Sequence, residues 1–278
     1  MNPVIRPMAQ SDLEAAWALS RSFDWPHRLE DWRLFLDLGQ GLAMEVDGRV
    51  QGTVMAFDHG AALSTLGMMI VAKAQQGKGF GRKLVEAMLA RLEGRSVVLQ
   101  ATEAGASLYT RLGFRDAGRI LQHQGVAPMI EPPLLPSGYR IARIDASDRA
   151  AVDLYSRASG ADRSRLMAGL FATARCAMLY RDGEPSGFSM MREFGRGWCI
   201  GPVVAPDREA AMALIQYWVA ANAGRFTRVD LTGDEALSRW LEGLGLPLRD
   251  GARTMVRGRL PLATGDITVF ALTAHALG

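Results

Sequence analysis

Gln76-Gly77-Lys78-Gly79-Phe80-Gly81 stands between an apolar run, Leu66–Val71, and an amphipathic segment, Arg82–Glu93. Three glycines within five residues, between an expected strand and an expected helix, leave backbone N–H groups unobstructed by side chains. Amides at a helix N-terminus point outward along a dipole that favours negative charge, so the stretch suits a phosphate or pyrophosphate. The segment behind it supports that geometry. Leu84, Val85, Met88, Leu89 and Leu92 fall on one helical face, with Arg82, Glu86 and Arg91 elsewhere.

Spacing removes two alternatives. A Walker A loop ends in Gly-Lys-Ser/Thr, which is missing here. A dinucleotide fingerprint needs a further glycine at a spacing that fails from either Gly77 or Gly79. The segment Gln76–Gly81 instead resembles the Gln/Arg-x-x-Gly-x-Gly/Ala loop of the GNAT superfamily of acyl-CoA N-acyltransferases. Further along, Leu108-Tyr109-Thr110-Arg111-Leu112-Gly113-Phe114 is similar to that superfamily's Leu-Tyr-x-x-Leu-Gly-Phe signature, at a family-like distance from the loop. Two ordered motifs joined by a helix and a strand are far more specific than either alone.

Composition sets the frame. A chain of 278 residues has room for two domains, and 49% hydrophobic with 22% charged residues argues against disorder. No apolar run reaches membrane-spanning length, and the N-terminal residues lack a signal-peptide core, so the expected compartment is the cytoplasm, with no membrane partner. A net charge of +3, scattered along the chain, gives no nucleic-acid footprint. Nothing in the sequence indicates an oligomer. Cys176 and Cys199 lack metal-type spacing and read as buried free thiols. The only three lysines, Lys73, Lys78 and Lys83, all bracket the glycine loop, where they would serve as point charges for phosphates.

The first part of the chain reads as strand Val4–Pro7, a helix through Ser22, an aromatic stretch over Phe23–Leu38, and strands Leu42–Val46 and Val50–Phe57 around the hairpin pair Asp47-Gly48. Strand Ala62–Val71, the loop and its helix follow, then strand Val97–Ala101 and a short helix near Ser107–Leu112. Glu131–Gly138, with three prolines, is a linker by composition. Beyond it the pattern returns. Ile141–Asp148 parallels Ile5–Asp12, Asp182-Gly183 parallels Asp47-Gly48, Ile200–Val204 parallels Met68–Val71, and Leu241–Leu246 parallels Tyr109–Phe114. The expected organisation is a tandem duplication: a catalytic domain over 1–128, a linker over 129–138 and a degenerate copy over 139–278 that ends in a strand-like segment, Asp266–Ala274. The expected fold class is α/β (α+β), each copy a mixed, largely antiparallel twisted sheet flanked by helices. In the second copy Ala205-Pro206-Asp207-Arg208-Glu209 replaces the glycine loop and Leu241 replaces the tyrosine, so this copy is expected not to bind the cofactor.

The resemblance implies an acetyl-CoA-dependent N-acetyltransferase: direct acyl transfer to a primary amine in a ternary complex, without a metal. It implies that the amides of Gly77, Lys78, Gly79, Phe80, Gly81 and Arg82, with Gln76 and Lys83, hold the pyrophosphate. The backbone of Met69, Ile70 and Val71 would pair with the pantetheine arm, and Thr102, where many members carry asparagine, would bond the cofactor. Tyr109 is the implied acid for the leaving thiolate, its phenol matched in pKa to an alkyl thiol. Glu103, at the end of strand Val97–Ala101, is the candidate base, with Asp58 and His59 also near an expected cleft. Phe23, Trp25 and Trp32 are candidates for the acceptor wall, against the alternative that these aromatics pack the core. The partner is a small-molecule or peptide amine. A non-catalytic acyl-CoA-binding or sensing module is the competing reading, separated from the first by turnover.

Overall fold

The hairpin pairs turn as their residues require. Asp47 and Gly48 both take positive φ (53° and 72°), as do Asp182 and Gly183 (51° and 89°), the geometry of a tight two-residue hairpin. Around these turns the computed structural model, which describes residues 3–145 and 148–278, builds two similar halves. The part of the internal repeat that falls on Ala146-Ser147 lies outside the described residues.

The first half runs β1 (Val4–Pro7), α1 (Leu13–Arg21), α2 (Leu29–Leu38), β2 (Gln40–Val46), β3 (Arg49–His59), β4 (Leu63–Val71), α3 (Phe80–Arg91), β5 (Ser96–Ala101), α4 (Glu103–Arg111) and β6 (Arg115–Val126). The second repeats the order: β7 (Tyr139–Ile144), α5 (Arg149–Ser159), α6 (Ser164–Phe171), β8 (Ala174–Arg181), β9 (Glu184–Phe194), β10 (Gly197–Ala205), α7 (Arg208–Ala221), β11 (Phe226–Leu231), α8 (Glu235–Gly243) and β12 (Leu248–Arg257), with a further strand β13 (Thr268–Ala271).

The halves exchange strands. β12, from the second half, pairs antiparallel with β5 of the first, and β6, from the first, pairs antiparallel with β11 of the second. β6 and β12 also pair with each other, so one sheet of 13 strands runs through the molecule in the order β1-β2-β3-β4-β5-β12-β6-β11-β13-β10-β9-β8-β7. The mixed, largely antiparallel sheet is as expected, but each half is completed by the other. On one face α1, α2, α5 and α6 share a single core around Trp32, Phe35, Tyr155 and Phe188, so the halves also bury their apolar helix faces together. On the other face α3 and α4 cover the first half, and α7 and α8 the second.

Two splays position the candidate site. β4 and β5 pair in parallel only from Leu63↔Ser96 to Leu66↔Leu99, and beyond that the strands part. β10 and β11 likewise pair only from Trp198↔Thr227 to Ile200↔Val229. Each inner strand carries one extra residue at the parting: β4 between Gly67 and Ile70, β10 between Ile200 and Val203. On β4 the bulge puts Met68 at φ 51°, an uncommon conformation for methionine, with the Thr53 hydroxyl donating to its carbonyl at 2.8 Å. The second splay is filled by β13, which pairs antiparallel with β10 (Val203↔Ala271, Ala205↔Thr268) and with β11 (Leu231↔Ala271).

Candidate active site

The glycine loop lies at the mouth of the first splay. Gly77 and Gly79 both sit in the left-handed region, at φ 75° and 76°. A Cβ built on either meets nothing within 4 Å, so the amides of this loop face open space. Gly79 caps α3, and the amides of Gly77 through Arg82 find no acceptor among the described residues. Such a run of free donors at a helix N-terminus fits an anionic phosphate group. The Gln76 side chain ties the loop to β4, donating to Val71 O at 3.1 Å. Lys78 and Lys83 are exposed beside it, Lys78 reaching Gln75 Oε1 at 2.9 Å and Lys83 lying over the Phe80 ring. Lys73 lies over Phe23 instead.

Behind the loop, the edge of β4 over Met69, Ile70 and Val71 has no parallel partner on its β5 side, since the ladder stops at Leu66. Ile70 and Val71 are buried by their side chains, and Met69 lines a cavity of about 410 Å³ between the halves.

Tyr109 also lines that cavity. It is only 7% exposed, packs edge-on against Phe114 at 5.7 Å, and its hydroxyl has no hydrogen-bond partner among the described residues. Burial pushes its phenol up to about 12, so the group stays protonated across the physiological range. Leu241, its counterpart in the second half, is a fully buried core residue.

Other expected residues are placed differently. Thr102 reaches the cavity, but its hydroxyl oxygen caps α4, accepting from Gly105 N at 3.3 Å. Its proton and a second lone pair remain for a ligand. Glu103 is not a cavity residue: its side chain is 85% exposed, 4.0 Å from Arg253. The first turn of a helix aims it at solvent, and the geometry gives no support to its role as a base. Trp32 is a correction of the same kind. It is completely buried in α2, with its indole N–H donating to Ser20 Oγ at 3.2 Å, so it is core and not wall. Phe23 and Trp25, by contrast, do line the cavity. Asp58 holds Ser64 Oγ, and His59 is buried between Thr65 and Arg163; neither reaches the cavity. Cys176 and Cys199 are buried free thiols, both pushed up to about 12 by burial.

The rest of the lining comes from parts of the chain with no motif. Gln100 stands near the end of β5, Gln122 and Gln124 on β6, and Asp250 and Ala252 on β12. Past β13 the chain runs on through Ala274, His275 and Ala276, which form another side of the cavity. The tail packs so closely on β4 that a Cβ on Gly67 would lie 2.6 Å from that of Ala276. Below His275, Arg228 and the fully buried Asp230 make a two-point pair at 2.8 and 2.7 Å. Burial alone would raise the Asp230 carboxyl. The charge of Arg228, with the neighbouring His275 ring, outweighs it and holds the group well below the usual carboxylate range.

In the second half the same positions are closed. The Asp207 side chain caps α7, accepting from Ala210 N at 2.8 Å, and so puts the chain's own anion where a phosphate would sit.

Residues 37–116 match one acetyltransferase (GNAT) domain model and residues 151–271 match another. An uncharacterized N-acetyltransferase of Bacillus subtilis, YitH, is 26% identical over 266 residues, covering 91% of each chain. Among solved structures, a Pyrococcus horikoshii protein described as a candidate acetyltransferase superposes with TM-score 0.82 at 19% identity, over 99% of this chain and 96% of that one. A GCN5-related N-acetyltransferase from Sphaerobacter thermophilus gives 0.67 at 16% identity, over 95% and 98%. A tandem GNAT protein from the clavulanic acid biosynthesis pathway gives 0.62 at 15%, over 92% and 98%. At these identities the structures attest the fold. With its glycine loop, its splayed sheet and its repeated architecture, the chain belongs to the GNAT acetyltransferase family and carries two such domains in tandem.

Proposed function

We propose that the chain is an acetyl-CoA-dependent N-acetyltransferase whose first half, residues 1–128, binds the cofactor and acts on a primary amine. The second half, residues 139–278 beyond the 129–138 linker, closes the acceptor site and binds no cofactor. The observation that carries this reading is the contrast between the splays. One is open, with a free glycine cradle at its mouth and Tyr109 inside; the other is filled by β13 and capped by Asp207.

Acetyl-CoA, when bound, supplies a thioester acetyl group. The amides of Gly77–Arg82 would hold its pyrophosphate, with Lys78 and Lys83 as added positive charge, and the free edge of Met69–Val71 would take the pantetheine arm. Tyr109, itself buried in the cavity wall, holds a proton that can pass to the leaving sulfur. Residues of both halves enclose the space left for the amine, which favours direct attack by a small or peptide amine over a covalent acyl-enzyme. Both cysteines are buried, unreactive thiols outside that cavity, in keeping with this.

The test is thiol release from acetyl-CoA with a panel of primary amines, together with calorimetric binding of CoA. Amine-dependent release that is abolished by Gly79→Glu supports the reading. Tight binding with no release by any amine would favour the binding module instead.

A further inference from the structure

An acetyl transfer to an ammonium needs a base, and neither motif supplies one. Four histidines are present in the chain, and three of them are spent. His123 has both ring nitrogens occupied, by Leu246 O at 2.8 Å and Ser238 Oγ at 2.9 Å. His59 is enclosed by Arg163 and Thr65, away from the cavity. His27 reaches the cavity, but its ring is packed edge-on against Phe35 and Phe194, and burial holds it down to about 4. So weak a base would take few protons from an amine.

His275 differs from all three. Among the described residues its buried Nε2, like Nδ1 of His27, has no hydrogen-bond partner, but it alone lies beside a buried carboxylate, 3.5 Å from Oδ2 of Asp230, while 28% of the side chain stays exposed and the residue lines the cavity. With Nε2 turned inward to a carboxylate, Nδ1 is the ring nitrogen on the open side. A buried carboxylate behind one nitrogen selects the tautomer that leaves the other lone pair free, and stabilises the imidazolium once it forms. Asp230 is itself anchored by its two-point pair with Arg228, so the orientation is fixed. The exposed carboxylates of the cavity, Asp24 and Asp250, have no comparable setting.

We propose that His275, positioned by Asp230, is the general base that takes the proton from the acceptor ammonium. The base of the first-half site would then be delivered by the tail of the second. This assignment rests on the acetyl-transfer reading above. In the step, an N–H bond of the ammonium breaks and its proton goes to Nδ1 and on to solvent. The freed lone pair forms the amide C–N bond as the thioester C–S bond breaks. The second proton lost by nitrogen balances the one Tyr109 gives to sulfur, so the products are an amide, a thiol and one solvent proton. The charged and titratable groups about His275 are Asp230 and Arg228 of β11, His27 of the loop before α2, and Arg192 of β9, whose Nη2 reaches Thr273 O. Asp24, Arg196 and Asp250 share the cavity.

The experiment uses the full chain and its His275→Gln variant. Glycinamide and spermidine serve as acceptor probes, thiol release is followed from pH 6 to 10, and CoA binding is the control for folding. The expected loss in kcat/KM at pH 7 is ~10²–10⁴-fold with CoA affinity unchanged. The gap is expected to close toward pH 10, where the ammonium gives up its proton unaided. Parallel pH profiles, or a loss under about threefold, would overturn the base while leaving acetyl transfer standing. A wild-type chain that releases no thiol with either amine would overturn both. A readout apart from turnover is the long-range ¹⁵N–¹H spectrum of the histidine rings, with the His275 signal identified by its loss in the variant. The Nε2–H tautomer is expected, and an Nδ1–H tautomer would overturn the assignment.

Discussion

Val203 of β10 faces Ala271 of β13 across an antiparallel ladder, at the point where the matching stretch of β4 has an open edge. The chain therefore uses its own backbone to satisfy, in one half, the hydrogen-bonding groups that a ligand would satisfy in the other. A buried strand edge left unpaired is costly, and β13 removes that cost. One CoA per chain is the expected stoichiometry by calorimetry. Gly79→Glu, which places a carboxylate and a side chain on a left-handed glycine in the open cradle, should reduce affinity by at least about a hundredfold. Two sites per chain would contradict the closure of the second splay.

Tyr109→Phe keeps the ring packed on Phe114 and removes only the proton. The expected fall in kcat is ~10²–10⁴-fold with little change in KM. Because burial holds the phenol near 12, against 10 for an open tyrosine, its titration should not appear in the kcat profile below pH 10. The linked stability has a definite sign. The folded chain binds this proton more tightly than the unfolded one, so the stabilisation is complete below pH 10 and is lost as pH rises toward 12. Melting temperatures of wild type and Tyr109→Phe, compared between pH 9 and 11.5, measure it.

How much of this was legible follows from range along the chain. The left-handed turns at Gly77 and Gly79 and the helix carrying Tyr109 are legible because loop–helix geometry and a helix signature are local. The missing glycine cradle of the second half is visible at Pro206-Asp207, since proline and acid disfavour a phosphate cradle locally. The reasons that complete the picture are not local. β13 plugs the splay by pairing with strands far back in the sequence, and β6 and β12 trade places between halves. Period-two alternation gives a strand but not its partner. His275 stands alone in an apolar tail, and only folding brings it to Asp230. Glu103 stands outside the cavity and Trp32 in the core for a related reason: position in the sequence does not say which side of its element a residue occupies.

The aromatic stretch Phe23–Phe35 divides into wall and core, and mutation should separate them. Trp32→Ala removes a fully buried indole and should cost about 3–5 kcal/mol in denaturant unfolding, with the acceptor KM of the folded fraction unchanged. Trp25→Ala, at the cavity, should instead raise the acceptor KM severalfold with a small effect on stability. The reverse pattern would return Trp32 to the acceptor wall.

Acid should weaken the chain through its buried imidazoles. His27 is lowered to about 4 from an ordinary 6.5, chiefly by burial, and His59 is lowered further by burial and by the charge of Arg163. The unfolded chain takes up protons here before the folded one does. The stabilisation is thus complete above pH 6.5 and is lost as pH falls toward 4. His27→Phe, which continues the ring cluster of Phe35 and Phe194, should flatten the fall in melting temperature by a few degrees over that window.

Gly67 couples the tail to β4. A Cβ there would lie 2.6 Å from the Cβ and 2.8 Å from the Cα of Ala276, closer than real carbons approach, and the second of these is backbone that cannot rotate away. Gly67→Ala must therefore displace the tail, and overpacking of this kind costs about 1–3 kcal/mol. The atoms nearest a Cβ at Gly67 all belong to Ala276 and none to the loop Gln76–Gly81 or the helix behind it, so CoA affinity should stay within about twofold while kcat/KM for the amine falls at least about tenfold. Calorimetry and thiol release on the same preparation separate the two effects. Equal losses in both would mean that the tail supports the cofactor strand itself, and that its hold on β4 matters more than the residue it carries into the cavity.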